Sequence, residues 1–205
     1  MRFRSLVRGA ALAAAAAGVG YAAMTTDSGR EADAGLFAAV NRGHGGHADR
    51  LFAGVTEFGS LYAVGVAAGV LGVMGRPRPA LRALSAAGAT WVIGQGMKKF
   101  VDRPRPYVAD PGRTRAMIAP PMGTSWPSSH PAVLTAFTTV AGRELDAGAP
   151  ARAGLSALGL TVVASRVYLG VHYPSDVASG FLMGRALAAV WPRRRGPREE
   201  PRRRR

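Results

Sequence analysis

The basic residues of this chain come in clumps, and long runs of Ala, Val, Leu and Gly separate the clumps. The tail "PRRRGPREEPRRRR" holds eight Arg against two Glu, which is +6 of a formal net charge of +15. Smaller clusters are "MRFRSLVR", "GRPRPALR" and "KKFVDRPRPYVADPGRTR". A soluble nucleic-acid binder gathers its basic charge on one polar face or stripe. Here 48% of the 205 residues are hydrophobic, and apolar and basic stretches alternate along the chain. That alternation is the pattern of a small polytopic membrane protein. There is no cysteine, so disulfides and thiolate chemistry are excluded.

A spanning helix needs about 20 residues, and six segments approach that length. Residues 6–24 read as a first spanning helix, or as a signal-like segment with Arg2, Arg4 and Arg8 as its positive region. The others lie near 55–75, 81–97, 131–143, 153–169 and 175–191. Residues 26–50 are polar, and "LFAAVNRGHGGHADRLFAGVTEF" reads as two short surface helices broken at "GHGGH". His44 and His47 fall in that break and read as surface loop. Two small-residue pairs, Gly65/Gly69 and Gly180/Gly184, suit close helix packing in lipid. The expected fold is an all-α bundle of about six transmembrane helices. Its parts are 1–25 (first helix or signal-like segment), a core over 26–192, and a disordered Arg-rich tail over 193–205.

Loop charge orients the bundle. With the N-terminus in the cytoplasm, "GRPRPALR", "RELDAGAPAR" and the Arg-rich tail all fall inside, as the bias of basic loops requires. The loop 98–127 and the turn "SRVYLGVHYPSD" then share the outer side. The basic cluster in 98–115 defies the bias, so it is expected to have another task.

Three polar stretches gather on that outer side: "KKFVDRPRP", "WPSSHP" and "SRVYLGVHYPSD". Each suits a phosphate. Lys98, Arg105 and Arg166 offer charge-assisted hydrogen bonds. Ser128, Ser129 and His130 open a helix with Pro131 in its first turn, and a helix N-terminus binds anions. Asp176 follows His172 by four residues and can hold one ring N–H, leaving the other nitrogen free to attack. His130 is then available as an acid for a leaving group. Taken singly, each stretch also has a plain reading: a helix cap, a local hydrogen bond, a headgroup contact. Their occurrence together on one face favours a site.

These stretches resemble the type-2 phosphatidic acid phosphatase superfamily, which also contains the vanadium haloperoxidases. The family pattern of lysine, six residues and Arg-Pro is met by Lys98, Arg105 and Pro106. Pro-Ser-Gly-His is met by "PSSH" at 127–130, with Ser129 in place of glycine. Ser-Arg, five residues, His, three residues and Asp is met by Ser165, Arg166, His172 and Asp176. The resemblance implies His172 as nucleophile, Asp176 as its orienting carboxylate and His130 as acid and then base. It implies Lys98, Arg105, Ser128, Ser129 and Arg166 as the phosphate cage, with no metal and no cofactor. Arg103 lies off the first spacing and is expected to matter much less than Arg105.

The expected function is a metal-independent membrane phosphatase acting on a lipid phosphate or diphosphate through a phosphohistidine. Candidate substrates are a polyprenyl diphosphate such as undecaprenyl diphosphate, phosphatidic acid, phosphatidylglycerol phosphate and a polyprenyl-phosphate sugar phosphate. Vanadate-dependent halide oxidation and phospholipid binding without turnover are the alternatives. The expected partners are the lipid substrate and a bilayer with anionic lipids, not nucleic acid. The expected location is a multi-pass protein of the cell membrane with the site facing outward, and the Ala, Gly and Arg bias is that of a GC-rich bacterial genome.

Overall fold

The computed structural model describes residues 3–193, so the expectation of a disordered tail lies almost wholly outside the described residues. Within them the chain is helical: α1 Phe3–Thr25, α2 Asp27–Asn41, α3 Gly46–Thr56, a 3-10 turn Glu57–Gly59, α4 Leu61–Val73 and α5 Pro77–Met97. There follow the one-turn α6 Pro106–Ala109, α7 Ser129–Glu144, α8 Ala149–Tyr168 and α9 Pro174–Val190. A helix stands at each of the six expected segments, as α1, α4, α5, α7, α8 and α9. Among the described residues only α1 is long and apolar enough to cross a membrane alone. Residues 46–73 pass the same test as one piece, bent by 63° where α4 begins.

Local chemistry sets the boundaries. Thr26 caps α2 by accepting from the Gly29 N–H at 3.0 Å, and Ser60 caps α4 by accepting from Ala63 at 3.1 Å. Prolines occupy the first turn of α5, α8 and α9, where the missing N–H costs nothing.

The core is built from small side chains. Ala83, Ala86 and Ala87 of α5 are fully buried against Val133, Phe137 and Val140 of α7. Alanine lets two helix backbones approach closely, which is how helices associate where lipid removes the hydrophobic drive. Gly180 and Gly184 of α9 do the same against α7: a Cβ at either would overlap the carbonyl of Ser128 or Ala132. The other pair differs from expectation, because Gly65 and Gly69 face open space. On the same helix Tyr62, Val66, Val70 and Val73 are exposed, an outward apolar face suited to lipid.

The stretch 26–50 is also not the bare surface its polarity suggested. Helix α2 runs the full 27–41 and packs on α8 and α9, and it buries Asp33, Phe37 and Asn41. Asn41 donates to the carbonyls of Arg115 (3.0 Å) and Tyr168 (2.8 Å). His44 stacks on Tyr168 with ring centroids 5.7 Å apart. The first helix is likewise part of the body: it lies along α9, where Ser179 Oγ donates to the Ala16 carbonyl at 2.8 Å.

Candidate active site

Helices α5 and α8 end, and α7 and α9 begin, at one end of the bundle, and the polar stretches meet there. Lys98 follows α5 directly and donates to the Thr124 carbonyl at 2.5 Å. Arg105 is buried and fixed on three sides, to the carbonyls of Gly123 (2.9 Å), Met122 (3.2 Å) and Val171 (3.0 Å). Arg166, in the last turn of α8, donates to Thr56 Oγ1 at 3.0 Å. His130 is the second residue of α7, and the Gly59 backbone packs against it.

His172 lies in the turn between α8 and α9. Its Nε2 is 3.1 Å from an Arg105 N–H nitrogen. A guanidinium only donates, so Nε2 is the nitrogen with the free pair and Nδ1 carries the proton. Nδ1 faces Ser125 Oγ at 3.4 Å and Asp176 Oδ2 at 3.6 Å. At 3.6 Å the carboxylate acts on the ring by charge and not through a formed hydrogen bond. Burial is the main force that lowers the His172 pKa to about 3; Asp176 opposes it, and Arg166 and Arg105 add to it. The imidazole is therefore neutral at physiological pH, with no proton to lose before it acts as a base or nucleophile.

Asp176 has no exposed surface. It accepts from Ser125 Oγ at 2.5 Å, from the Tyr173 N–H at 2.9 Å and from Arg103 at 2.5 Å. Its own carbonyl accepts from the Ser128 N–H at 3.1 Å, which ties the second polar stretch to the third.

Ser128 stands at the cap position of α7, yet its side chain makes no cap hydrogen bond. Its Oγ and the Nε of Arg166 are buried without a protein partner. Buried polar atoms are nearly always satisfied, so two orphans beside three cations leave capacity for an anionic ligand. The open backbone N–H groups at the α7 N-terminus add to it. Ser129, in the glycine position of the resembled pattern, turns its hydroxyl to α5, where Gln95 donates to it at 3.3 Å. The arrangement is a cage of Lys98, Arg105 and Arg166 around one neutral imidazole, and it suits a tetrahedral oxyanion.

The structure gives Arg103 a standing that spacing alone denied it. One end of its guanidinium meets Asp176 Oδ1 at 2.5 Å and Ser175 Oγ at 2.7 Å, and the other meets Asp33 Oδ2 at 2.6 Å. Its Cζ lies 4.3 Å from the centre of the Tyr173 ring. Asp33 also accepts from the Ser175 N–H at 2.8 Å. Asp33, Ser125 and Thr56 were thus missed, and Arg103 was ranked below Arg105. Only Arg103 had a sequence signal, as the first arginine of "RPRP". Asp33 is one acid on a helix whose partners lie far along the chain.

A pH dependence follows from Lys98. Burial first, and Arg105 second, lower its pKa to about 8. The ammonium is charged below that value and neutral above it, so the cage loses a cation as pH rises through about 8. The kcat/KM profile, which reports the free enzyme, is expected to fall on that alkaline limb. Lys98→Arg is expected to move the limb upward, whatever it does to the maximum. An unchanged limb in the variant would remove Lys98 from the phosphate site.

A family model described as the PAP2 superfamily matches residues 79–199 of this chain. A curated relative, the decaprenylphosphoryl-5-phosphoribose phosphatase of Mycobacterium tuberculosis, is 30% identical over 154 residues, covering 74% of this chain and 82% of the relative. Among solved structures, Aquifex aeolicus LpxE is 25% identical, with a TM-score of 0.65 over 75% of this chain and 90% of its own. A transmembrane PAP2 type phosphatidylglycerolphosphate phosphatase from Bacillus subtilis has the same fold, with a TM-score of 0.65 at 22% identity over 90% of each chain. The family match covers Lys98 through Asp176, the curated relative is matched over most of its length, and this chain belongs to the PAP2 superfamily.

Proposed function

We propose that the protein is a membrane phosphatase that removes phosphate from a lipid by way of a phosphohistidine on His172. The observation that carries this reading is the orientation of the His172 ring. Its free nitrogen faces the cationic cage, and its proton faces Ser125 and Asp176.

In the first step Nε2 attacks phosphorus, forming a P–N bond as the P–O bond to the lipid alcohol breaks. His130, protonated as the anionic substrate binds, donates that proton to the departing oxygen. In the second step His130 takes a proton from water, the water oxygen attacks phosphorus, and the P–N bond breaks to release phosphate. Lys98, Arg105 and Arg166, with Ser128 and the N–H of Ser129, bear the charge of the equatorial oxygens in both steps. A site at helix ends suits an amphiphile whose phosphate lies at the interface while its tail stays in lipid. The loop-charge asymmetry puts this end outside and the Arg-rich tail in the cytoplasm. The similarity to a decaprenylphosphoryl-5-phosphoribose phosphatase supports a polyprenyl-linked sugar phosphate as the first substrate to test, with phosphatidylglycerol phosphate after it. Phosphatidic acid and undecaprenyl diphosphate follow.

Phosphate release from this panel is the test, made with EDTA in detergent and again in sealed right-side-out vesicles. Turnover of at least one lipid phosphate in both settings is expected. No release from any substrate in detergent overturns the phosphatase reading. Release in detergent but none from the outer face of vesicles overturns only the orientation.

A further inference from the structure

A cavity of about 720 Å³ lies at the opposite end of the bundle, between the start of α1 and the start of α8. It has nothing to do with the candidate active site. Arg143 and Ser129 bound α7 at its two ends, and 14 residues of helix separate them by about 20 Å. Arg4 and Arg8 of α1, Arg143 of α7, Arg152 of α8, Arg185 of α9 and Arg193 all line it. Asp146 is the one acid in the lining among the described residues.

The charge there is unbalanced. Arg143 pairs with Glu144 at 3.4 Å and donates to the Ala188 carbonyl at 3.0 Å. Among the described residues Arg4, Arg8, Arg152 and Arg185 have no carboxylate within ion-pair distance. Two polar atoms of the lining, Thr135 Oγ1 and Arg143 Nε, are buried with no partner among the described residues, and Thr135 is only 3% exposed. The bias toward basic cytoplasmic loops explains arginines near the ends of helices. It does not explain why arginines from four helices turn toward one cavity, nor why a buried threonine hydroxyl in its wall lacks a partner.

We propose that this cavity is a second phosphate-binding site, non-catalytic, that holds the phosphoryl group of an anionic ligand. No attacking nitrogen is present: histidine is absent from the lining. What the cavity supplies is guanidinium forks, which match phosphate oxygens two at a time, and hydroxyls of Thr139 and Ser156. The phosphate comes from the headgroup of a lipid in the adjoining leaflet or from a soluble phosphate compound. Basic pockets between helices on the cytoplasmic side are known habitats of anionic headgroups.

Two arms separate these sources. Thermal unfolding of the purified protein is followed in neutral detergent with added phosphatidylglycerol or phosphatidylcholine, and in the same detergent with inorganic pyrophosphate. Each is repeated on Arg8→Gln/Arg185→Gln, which leaves the candidate active site untouched, and on the charge-keeping Arg8→Lys/Arg185→Lys. Phosphatidylglycerol, and not phosphatidylcholine, is expected to raise the Tm of the wild type. The midpoint concentration is expected to rise about tenfold or more in the Gln pair, the size of losing one or two charge-assisted hydrogen bonds. The Lys pair is expected to fall between. Nitrophenyl phosphate turnover in detergent is expected to be equal in all three, which shows that the variants are folded. Stabilisation by pyrophosphate, lost in the same order, assigns the site to a soluble phosphate. No stabilisation of the wild type by either probe overturns the proposal, and so does stabilisation that the variants share in full.

Discussion

His172→Ala is expected to abolish both turnover and covalent capture of phosphate from a labelled substrate. The side chain is buried, its Nε2 is held 3.1 Å from Arg105, and no other imidazole shares that place. In the proposed roles His130 serves the departing oxygen and His172 alone forms the P–N bond. His130→Ala is expected to behave differently, because it removes the leaving-group acid and the base for water but leaves the attacking nitrogen. General acid–base help is worth about 10²–10⁴-fold, so a loss of that size is expected on a lipid alcohol. A nitrophenyl phosphate needs little protonation to depart. On that substrate the variant is expected to become labelled slowly and to hydrolyse the intermediate more slowly still. Labelling that survives in His172→Ala and vanishes in His130→Ala would reverse the two roles.

The second large effect is expected at Arg103. Its side chain is about one-tenth exposed and stands between two carboxylates, Asp33 at 6% exposure and the fully buried Asp176. Arg103→Ala strands both charges. Removing one partner of a buried pair costs about 3–5 kcal/mol, a large share of the stability of any single domain. Arg103→Lys is the sharper test, because it keeps the charge. An ammonium is a point charge and cannot hold Asp176 and Asp33 from opposite ends of a planar fork. Asp176 is then free to shift under the His172 ring, and misplacement by about 1 Å costs on the order of 10²-fold in rate. The expected result is a fall in kcat of that order with a smaller change in KM, since Arg103 itself faces away from the phosphate cage. Exposed Arg113→Lys serves as the control and is expected to match the wild type. If Arg103→Lys also matches the wild type, the guanidinium is a structural tie with no hold on His172.

The contrast between Arg103 and Arg105 shows what the sequence carried. The six helical segments and the three polar stretches were legible, because apolar run length and short spacings are local properties; that the stretches share one side was read from loop charge and from the family resemblance. The partners of Asp176 were not. Ser125 lies 51 residues away and Arg103 lies 73 residues away, and no periodicity links them. Thr56 and Asp33 were hidden for a second reason. Asp33 sits in the stretch 26–50 whose polarity suggested open surface, whereas it is polar because it docks against the charged end of the bundle, and Thr56 sits at the head of an apolar segment. The Gly pairs make the same point: one tetrapeptide spacing packs a helix and the other faces outward, and only the neighbours distinguish Gly180/Gly184 from Gly65/Gly69.

The tie between α2 and the start of α9 also sets an order of assembly. Asp33 meets Ser175 across 142 residues of chain, and Ala16 meets Ser179 across 163. Contacts this remote are closed last, after the entropy of a long loop has been lost. During synthesis the first two helices emerge with the Asp33 carboxylate uncompensated, and Arg103 arrives some 70 residues later. Asp176 comes later still, with the last helix. Until then neither the acid nor the base of this network has its full set of partners. The charged end of the bundle can therefore close only once α9, which packs against both α1 and α7, has been made.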